Sequence, residues 1–412
     1  MKNKLVLITY SYPYGTGETY IEAEIGLLSR AFDEIVIIVS NSEGKARALP
    51  ANCKVLHFGV TNSPGENLRL LCRLAADSCF IIRKIREESG ALKNQYHKKI
   101  TPVIFRQLLH DIAKGYQFYR FLRKHTDGSG SLYYSYWFDN KALGLAMLRE
   151  KGKNIAAVSR IHRWDLYFET HRNRYISFQR YKCEHLSGLF FIAAQGREYF
   201  RKLVAPRTDN LYVSRLGTRY PLEGKAMAGD RYTLVSCSRL VPMKRVSLII
   251  EALSRLKGLK LDWYHLGDGE LEAALKEEAA RLLDASPDIG YHFYGQVSND
   301  RVHDFYAGHR VDLFLNVSDS EGLPVSLMEA ISYGIPVMAT DVGGTAEVCN
   351  SHTGVLLEKN LTADSLAREI DLYFQRSSSE REKLRLSSFE YWQENFYAEE
   401  NYRKFIKTIK SF

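Results

Sequence analysis

Residues 316–344 read NVSDSEGLPVSLMEAISYGIPVMATDVGG, and this stretch decides the fold of the chain. Apolar runs border it, VDLFLNV at residues 311–317 and PVMAT at residues 336–340, and such short runs predict buried strands. Between them, a loop rich in Ser, Asp and Gly leads into a helix with Pro324 as its first residue and Gly334 at its stop. The order of strand, loop, helix and strand is typical of a parallel α/β sheet.

The start of this helix is a candidate phosphate site. Backbone N–H groups in the first turn of a helix have no partner within the helix, and the dipole is positive at that end, so both favour an anion. Two carboxylates flank the position, Glu321 just before the helix and Glu329 inside it. The alternative interpretation is that both are ordinary exposed charges, which is the usual state of Glu.

The spacing of the two carboxylates carries a family resemblance. Glu321 and Glu329 form E-x7-E with Gly-Leu-Pro directly after the first Glu, and YGIPV and TDVGG follow. This pattern resembles the signature of retaining family 4 glycosyltransferases of the GT-B fold. The resemblance implies an α/β chain with two Rossmann-like domains, each a doubly wound parallel sheet, facing across a cleft.

The same resemblance assigns roles around the first Glu. In the family, the Gly-Leu-Pro backbone and the helix start hold the diphosphate of a nucleotide-sugar donor, which gives that role to Gly322, Leu323 and Pro324. The first Glu of the family lies beside the donor sugar, which implies a catalytic place for Glu321. The second Glu holds the ribose hydroxyls, which implies donor binding by Glu329.

Length and composition bound the class of protein. A chain of 412 residues is too long for one ordinary core, and about two to three domains are expected. Hydrophobic content of 45% and charged content of 25% are typical of a soluble globular protein. The start, MKNKLVLITYSYP, lacks the features of a signal peptide, so we expect a cytoplasmic location. The net charge of +9 favours an anionic partner, and six cysteines without a C-x-x-C pair argue against a zinc site.

The first predicted strand, residues 5–9, runs into a glycine loop. Gly15 and Gly17 allow a sharp turn that leaves backbone N–H groups exposed to a ligand. Position 20 is Tyr, so the third Gly of a dinucleotide fingerprint is absent and a dehydrogenase is disfavoured. In family 4 the corresponding loop lies under the acceptor and the donor phosphate. A glycine turn between a strand and a helix also forms without any ligand, and that interpretation stays open.

Residues 98–124 predict a basic amphipathic helix. Seven Lys and Arg stand against a single acid, Asp111, and apolar residues recur near helical spacing. Such a helix can contact an anionic membrane from the cytoplasmic side, as a peripheral attachment. The alternative is that its apolar face packs on the sheet while the charges are solvated.

Residues 155–161 predict a strand that ends in HRWDLY. His162 lies at its carboxyl end, where ligands bind in open α/β sheets, although a lone His is more often structural. The pattern R-x-H-R-x-D-x-Y resembles a sub-group of family 4 enzymes from polysaccharide assembly. The resemblance makes His162 the catalytic-site histidine, in contact with the donor sugar or the acceptor, and places Arg163 and Asp165 in the acceptor loop.

The second domain is predicted to begin after a linker at residues 217–230, which contains Gly and Pro between two apolar strands. Its first strand, residues 232–237, is followed by Arg239 and Lys244, and in the family this pair grips the donor phosphates. A fork-shaped guanidinium and a compact ammonium suit a leaving diphosphate whose negative charge grows as the glycosidic bond breaks. A basic surface loop is the alternative.

Two further turns complete the expected donor half. GDGE begins at Gly267, and GQV ends at Val297, and the resemblance places both beside the nucleotide base and ribose. Ser298 or Asn299 is predicted to cap the next helix. The predicted domains are therefore residues 1–216 and 231–395, and residues 396–412 are expected to form a helix that returns to the first.

These features predict a metal-independent, retaining glycosyltransferase. It would move a sugar from a UDP- or GDP-linked donor to a hydroxyl of a growing, lipid-linked glycan in bacterial surface polysaccharide synthesis. No Asp-x-Asp motif stands in a suitable loop, so no cofactor is expected, and Arg239 and Lys244 would stabilise the leaving group. Nucleic-acid-binding motifs are absent from the sequence. The alternatives are another GT-B chemistry, such as an epimerase, and an inactive nucleotide-sugar-binding scaffold of a glycan assembly complex.

Overall fold

The computed structural model describes residues 3–15, 17–18, 20–59, 77–125, 130–222 and 229–412. The chain forms two compact units, Met1–Ser214 together with Tyr402–Phe412, and Arg215–Asn401. The first part of a helical region predicted from residue 67, and the middle of the predicted linker, lie outside the described residues. Within the described part, no helix is both long and apolar enough to cross a membrane.

The first unit contains one parallel sheet of seven strands in the order β3-β2-β1-β4-β5-β6-β7. The strands are β1 (Lys4–Ile8), β2 (Glu34–Val39), β3 (Cys53–His57), β4 (Ser131–Ser135), β5 (Ala156–Ile161), β6 (Gly188–Phe191) and β7 (Leu211–Val213). The winding direction reverses between β1 and β4, which lie side by side in parallel register. Ligands bind at the carboxyl ends of strands at such a switch point.

Helices cover the faces of this sheet. They are α1 (Ile21–Ala31), α2 (Ser78–Asn94), α3 (Pro102–His125), α4 (Asn140–Glu150), α5 (Gln179–His185) and α6 (Ala194–Leu203). The predicted basic helix is α3, and its residues Leu108 and Ile112 are buried in the core of the unit. On its other side Val103, Phe105 and Leu109 are 60%, 45% and 42% exposed. The inner apolar face of α3 therefore packs on the core of the unit, which agrees with the second of the two interpretations given above.

The second unit contains a parallel sheet of six strands in the order β10-β9-β8-β11-β12-β13. The strands are β8 (Tyr232–Cys237), β9 (Leu261–Leu266), β10 (Ile289–Phe293), β11 (Leu313–Asn316), β12 (Val337–Thr340) and β13 (Gly354–Leu357). The helices are α7 (Val246–Leu253), α8 (Glu272–Leu283), α9 (Asn299–Gly308), α10 (Val325–Ser332), α11 (Ala363–Gln375), α12 (Ser378–Asn395) and α13 (Ala398–Ile409). Its switch point lies between β8 and β11, so the two predicted doubly wound sheets are confirmed.

The first residue of the R-x-H-R-x-D-x-Y pattern proves to be part of the core. Arg160 in β5 is 0% exposed, and its Nη2 lies 3.2 Å from Oε1 of Glu24 in α1. The guanidinium also lies 4.4 Å from the ring centroid of Phe405, in the part of α13 that belongs to the first unit. A buried charge pair of this kind needs both partners, because either charge alone would be buried without compensation. Arg160 therefore joins β5, α1 and the end of the chain.

Two predicted bounds are wrong in detail. The apolar run LYYSYWF at residues 132–138 predicts one strand, but β4 ends at Ser135, and the backbone N–H of Phe138 donates to the Asp165 carboxylate and not to a neighbouring strand. Pro324 does not take the first helical position: with ψ at 107° it stands just before α10, which begins at Val325. The helix ends as predicted, since Gly334 follows it with a φ of +64°.

Candidate functional site

The carboxyl ends of β8 and β11 bring two predicted residues into contact. Lys244 closes a single 3-10 turn after β8, and Glu321 lies in the loop between β11 and α10. Lys244 Nζ lies 2.5 Å from Glu321 Oε1, and their side chains are 19% and 12% exposed. The two residues are 77 positions apart in the sequence, but β8 and β11 are neighbours in the sheet, so their side chains form an ion pair at the switch point.

The Gly343-Gly344 turn supports the loop that carries Glu321. Gly343 has a φ of +55°, and a Cβ atom there would lie 1.9 Å from the carbonyl oxygen of Glu321. The N–H of Gly344 donates to the carbonyl of Gly322 at 2.8 Å. Only glycine fits so close an approach, so the TDVGG part of the pattern fixes the loop before α10.

Arg239 and Arg245 differ sharply in their surroundings. Arg239, predicted to bind phosphate, is exposed and has no ion pair within 4 Å among the described residues. Arg245, which the sequence analysis did not single out, donates to the Val317 carbonyl at 2.6 Å and pairs with Asp319 at 3.0 Å. Arg245 thus ties the end of β8 to the end of β11, and Arg239 remains available to an anion.

Glu329 is a buried carboxylate with a single direct side-chain partner within the described part of the chain. It is 7% exposed, and its Oε1 accepts a 2.6 Å hydrogen bond from Nδ2 of Asn299. Burial raises the pKa of Glu329 to about 7, with Asn299 acting in the opposite direction. Of the two predicted caps, Ser298 caps α9 by accepting from the N–H of Arg301, which leaves the Asn299 side chain for Glu329. The predicted Val297 turn therefore leads directly to the Glu329 carboxylate.

Gly267 brings the loops after β8 and β9 together. It has a φ of +134°, and a Cβ atom there would lie 2.0 Å from the carbonyl oxygen of Ser238. Its N–H donates to Gly295 at 3.0 Å, beside the loop that continues to Val297. The two turns predicted to hold the nucleotide are thus in direct contact with each other and with the residue before Arg239.

In the first unit, His162 lies at the carboxyl end of β5 inside an aromatic group. The residue is 8% exposed, and its ring centroid lies 4.6 Å from that of Trp137 and 5.0 Å from that of Tyr136. Both ring nitrogens are buried and have no hydrogen-bond partner among the described residues, and Nδ1 lies 3.9 Å from Oδ2 of Asp165. A buried polar group without a partner is rare and is typical of a functional position.

Arg163 and Asp165, both predicted to lie in the acceptor loop, follow His162 in the sequence. Asp165 is 5% exposed and accepts from the backbone N–H of His162 at 2.6 Å and from that of Phe138 at 2.8 Å. Its carboxylate therefore fastens the loop after β5 to the loop after β4. Arg163 is half-buried, and its carbonyl accepts from the N–H of Tyr167. Asp165 positions His162 and offers little surface to a ligand.

The sequence analysis missed the most highly connected carboxylate of the first unit, Glu18. Its two oxygens accept from three successive backbone N–H groups after β1, those of residues 10, 11 and 12, at 3.1, 2.7 and 2.6 Å. They also accept from the Trp137 indole Nε1 at 2.5 Å. Three successive N–H groups form an anion-binding nest, and here the chain's own carboxylate fills it. Glu18 thereby joins the loops after β1 and β4 at the switch point and fixes the ring that lies against His162.

The glycine loop differs from its prediction. The N–H of Gly15 donates to the carbonyl of Lys45 at 3.2 Å, and the Arg47 guanidinium donates to the carbonyls of Gly15 and Gly17. The expectation that the loop leaves backbone N–H groups exposed is therefore wrong for Gly15. Its φ of +66° does meet the expectation of a sharp turn that needs glycine.

Comparison with known proteins points to one family for the second unit. Residues 223–388 match the family model of glycosyl transferases group 1. The O-antigen biosynthesis glycosyltransferase WbnH of Escherichia coli is 32% identical over 166 residues, which are 40% of this chain and 44% of that protein. The chain thus spans less than half the length of the curated relatives that it matches.

Two solved structures resemble the whole chain. The lipopolysaccharide outer core galactosyltransferase WaaB, in its apo form, has a TM-score of 0.68 at 17% identity and covers 99% of both chains. The Anabaena protein Alr3699/HepE in complex with UDP-glucose has a TM-score of 0.62 at 15% identity and covers 99% of this chain. At such identities the likeness shows the fold, which is GT-B. Residues 223–388 therefore carry a glycosyl transferases group 1 domain within a chain of the GT-B fold.

Proposed function

We propose that this protein is a retaining glycosyltransferase of family 4 that transfers a sugar from a nucleotide-diphosphate donor to a hydroxyl of a growing glycan. The observation that carries the proposal is the contact between Lys244 and Glu321 at the switch point of the second sheet, beside the start of α10. The complex of HepE with UDP-glucose supports a nucleotide sugar as the donor. WbnH, an O-antigen biosynthesis enzyme, supports a surface polysaccharide as the product.

The leaving diphosphate is stabilised by protein-borne cations. Arg239 is exposed and has no carboxylate partner in the described part of the chain, so its full charge is available to a phosphate. Lys244 contacts Glu321, and on donor binding it turns toward the diphosphate while Glu321 turns to the donor sugar. The start of α10 adds the positive end of its dipole. Charge that grows on the phosphate in the transition state then meets groups already in place.

Glu329 and His162 take the remaining roles. Glu329 accepts the ribose hydroxyls, because its carboxylate is buried and keeps acceptor capacity beyond the bond from Asn299. His162 contacts the donor sugar or the acceptor, because its two unpartnered ring nitrogens can hydrogen-bond to sugar hydroxyls. Retention follows if the acceptor attacks from the face that the diphosphate leaves, with the phosphate taking the hydroxyl proton.

A lipid-linked acceptor accounts for the outer side of α3. Val103, Phe105 and Leu109 are exposed there, and the cationic Arg106 lies among them. An apolar group flanked by positive charge suits peripheral contact with an anionic membrane at its cytoplasmic face. Phe105→Asp is expected to reduce sedimentation with phosphatidylglycerol vesicles, whereas Leu386→Asp on α12, at a side chain that is 60% exposed, is expected to change nothing. Equal sedimentation of both variants and the parent would remove the membrane part of the proposal.

The experiment that tests the whole proposal is a donor panel. UDP- and GDP-sugars are incubated with glycan acceptors, with and without EDTA, and turnover and anomeric configuration are read by NMR. One donor is expected to be consumed without metal, with retained configuration. Lys244→Ala and Glu321→Ala are expected to abolish turnover, while Lys276→Ala, which breaks a similar Lys–Glu pair at 2.8 Å on α8, retains it.

The same panel separates the alternatives. Donor binding without turnover under every condition would favour the scaffold. Conversion of the donor to another nucleotide sugar without any acceptor would favour an epimerase. Failure of every donor to bind at millimolar concentration would overturn the donor site itself.

A further inference from the structure

The second unit contains a cavity at the edge of its sheet opposite to Lys244 and Glu321. Its volume is about 140 Å³, and it lies where β8 and β11 begin. Residues just before these strands and residues on the first turns of α12 line it; those that matter here are Arg231, Arg310, Asp312, Arg381, Glu382 and Arg385. The candidate donor residues follow the carboxyl ends of the same strands. The cavity is therefore separate from the candidate functional site.

Positive charge exceeds negative charge around this cavity. Four guanidinium groups line it against the carboxylates of Asp312 and Glu382. Arg231 is neutralised by Asp262, which lies 3.0 Å away outside the lining. Four positive and three negative charges leave an excess of one. Arg310 is paired with Glu382 and lies 3.8 Å from Asp312. Within the described residues neither Arg381 nor Arg385 has an ion pair within 4 Å, so the excess positive charge lies on these two arginines of α12.

Neutral groups of the backbone hold these guanidinium groups in place. Arg231 donates to the carbonyls of Leu261 and Asp288 at 3.0 and 2.9 Å. Arg381 donates to the carbonyl of Phe374 at 3.0 Å, and Arg385 to that of Val311 at 2.5 Å. Carbonyl oxygens fix the direction of a guanidinium without cancelling its charge. Positioned arginine forks of this kind match the oxygens of a phosphate.

The charged form of Arg385 is incompletely compensated by its surroundings. Burial lowers the pKa of Arg385 and so does the neighbouring charge of Arg310, while Glu382 and Asp312 act in the opposite direction without reversing the shift. Ser378, in the first turn of α12, also lines the cavity, so the positive end of an 18-residue helix borders it. An anion in the cavity would reduce the repulsion between the arginines and would balance the excess positive charge.

We propose that this cavity is a binding site for a small oxyanion of the phosphate class, held by Arg381 and Arg385 beside the Arg310–Glu382 pair. The cavity has room for several water molecules or for one such anion. A nucleoside would not fit beside the phosphate, so free phosphate binds there and a nucleotide binds only at the donor site. Bound phosphate stabilises the start of α12. It also reaches α10, which carries Glu329, because a Cβ atom at Gly334 after α10 would lie only 2.9 Å from the Arg385 carbonyl oxygen.

The test uses inorganic phosphate as the probe on the full chain, by calorimetry at constant ionic strength. The double variant Arg239→Ala and Lys244→Ala removes the cations of the donor site and is expected to keep one phosphate site. Adding Arg381→Gln should weaken phosphate binding about tenfold or more, since a charged hydrogen bond is worth about 1.5–3 kcal/mol. Adding Arg368→Gln instead, an exposed arginine on α11, should not weaken it.

Three results would overturn the proposal. The first is that the double variant Arg239→Ala and Lys244→Ala no longer binds phosphate. The second is that Arg381→Gln leaves phosphate binding unchanged. The third is that UDP competes with phosphate for the second site. Arg310→Gln is the second variant if Arg381→Gln unfolds, because Arg310 is 34% exposed and tolerates replacement more readily. Loss of the donor site in the activity panel would leave this second site unaffected, so the two proposals can fail independently.

Discussion

The two switch points use acidic side chains in opposite ways. In the second unit, Glu321 contacts a cation that can turn to a ligand, and Glu329 keeps acceptor capacity beyond one amide. In the first unit, Glu18 and Asp165 accept from backbone N–H groups, whereas the ring nitrogens of His162 have no hydrogen-bond partner among the described residues, with Nδ1 3.9 Å from Asp165 Oδ2. A carboxylate next to a candidate ligand site therefore either binds the ligand or holds the loop backbone in place, and its hydrogen-bond partners distinguish the two roles. The predictions below test this contrast.

The largest expected effect belongs to the cation at the second switch point. Lys244→Ala should lower kcat by about 10²–10³-fold, because it removes one charge that stabilises the leaving group. Stability should change little, since the side chain is partly exposed and the Glu321 carboxylate can hydrate. Steady-state kinetics with thermal unfolding checks both. A kcat within a few-fold of the parent would show that Lys244 only balances Glu321.

His162 and Asp165 should separate function from scaffolding. His162→Phe is expected to lower kcat by about 10²-fold with a small change in stability, because it removes the ring nitrogens while a ring keeps the buried aromatic packing. Asp165→Asn should instead lower the free energy of unfolding by about 1–3 kcal/mol, because one of two backbone N–H groups faces an amide donor. Urea unfolding and kinetics on both variants, with His171→Ala as a control, distinguish the two. A larger stability loss in His162→Phe than in Asp165→Asn would reverse the assignment.

Glu18→Gln tests more directly whether a carboxylate holds the loop backbone in place. The amide brings N–H donors to a place where four N–H groups converge, so about 1–3 kcal/mol of the free energy of unfolding should be lost. Glu22→Gln, on a side chain 53% exposed in α1, should cost far less. Fluorescence of Trp137, whose indole donates to Glu18, should change only in the first variant. Equal stabilities of the two variants would show that the nest does not depend on the carboxylate.

The smallest expected effect is the pH dependence of donor binding through Glu329. Burial raises the pKa of this carboxyl to about 7, so it is mostly protonated at pH 6 and mostly ionised at pH 8. The ionised form accepts the ribose hydroxyls more strongly, so affinity for a nucleotide sugar should rise a few-fold, up to about tenfold, between these values. Glu329→Gln should flatten the profile. A nucleotide sugar is the right probe because its diphosphate has no group that titrates in this range.

Local patterns in the sequence predicted the sheets and the loop before α10, because strands, glycine turns and helix stops are encoded over a few residues. They could not predict that Lys244 meets Glu321, since that contact depends on β8 lying next to β11. Glu18 was missed for a related reason: its partners are backbone N–H groups, which every residue has. Arg160 belongs to a pattern that resembles a site, yet the alternation along β5 turns its side chain into the core.

The anchor formed by Arg160, Glu24 and Phe405 sets the order in which the protein can be completed during synthesis. Phe405 is translated after the whole of the second unit, whereas Glu24 and Arg160 are made early. Until Tyr402–Phe412 leaves the ribosome, the charged pair lacks the aromatic cover that makes it part of a core. Domains generally fold from the N-terminus as they emerge. Here, however, the first unit needs residues 402–412, which are translated after the second unit. A nascent chain stopped at residue 401 should therefore show a protease-sensitive first unit beside a resistant second one.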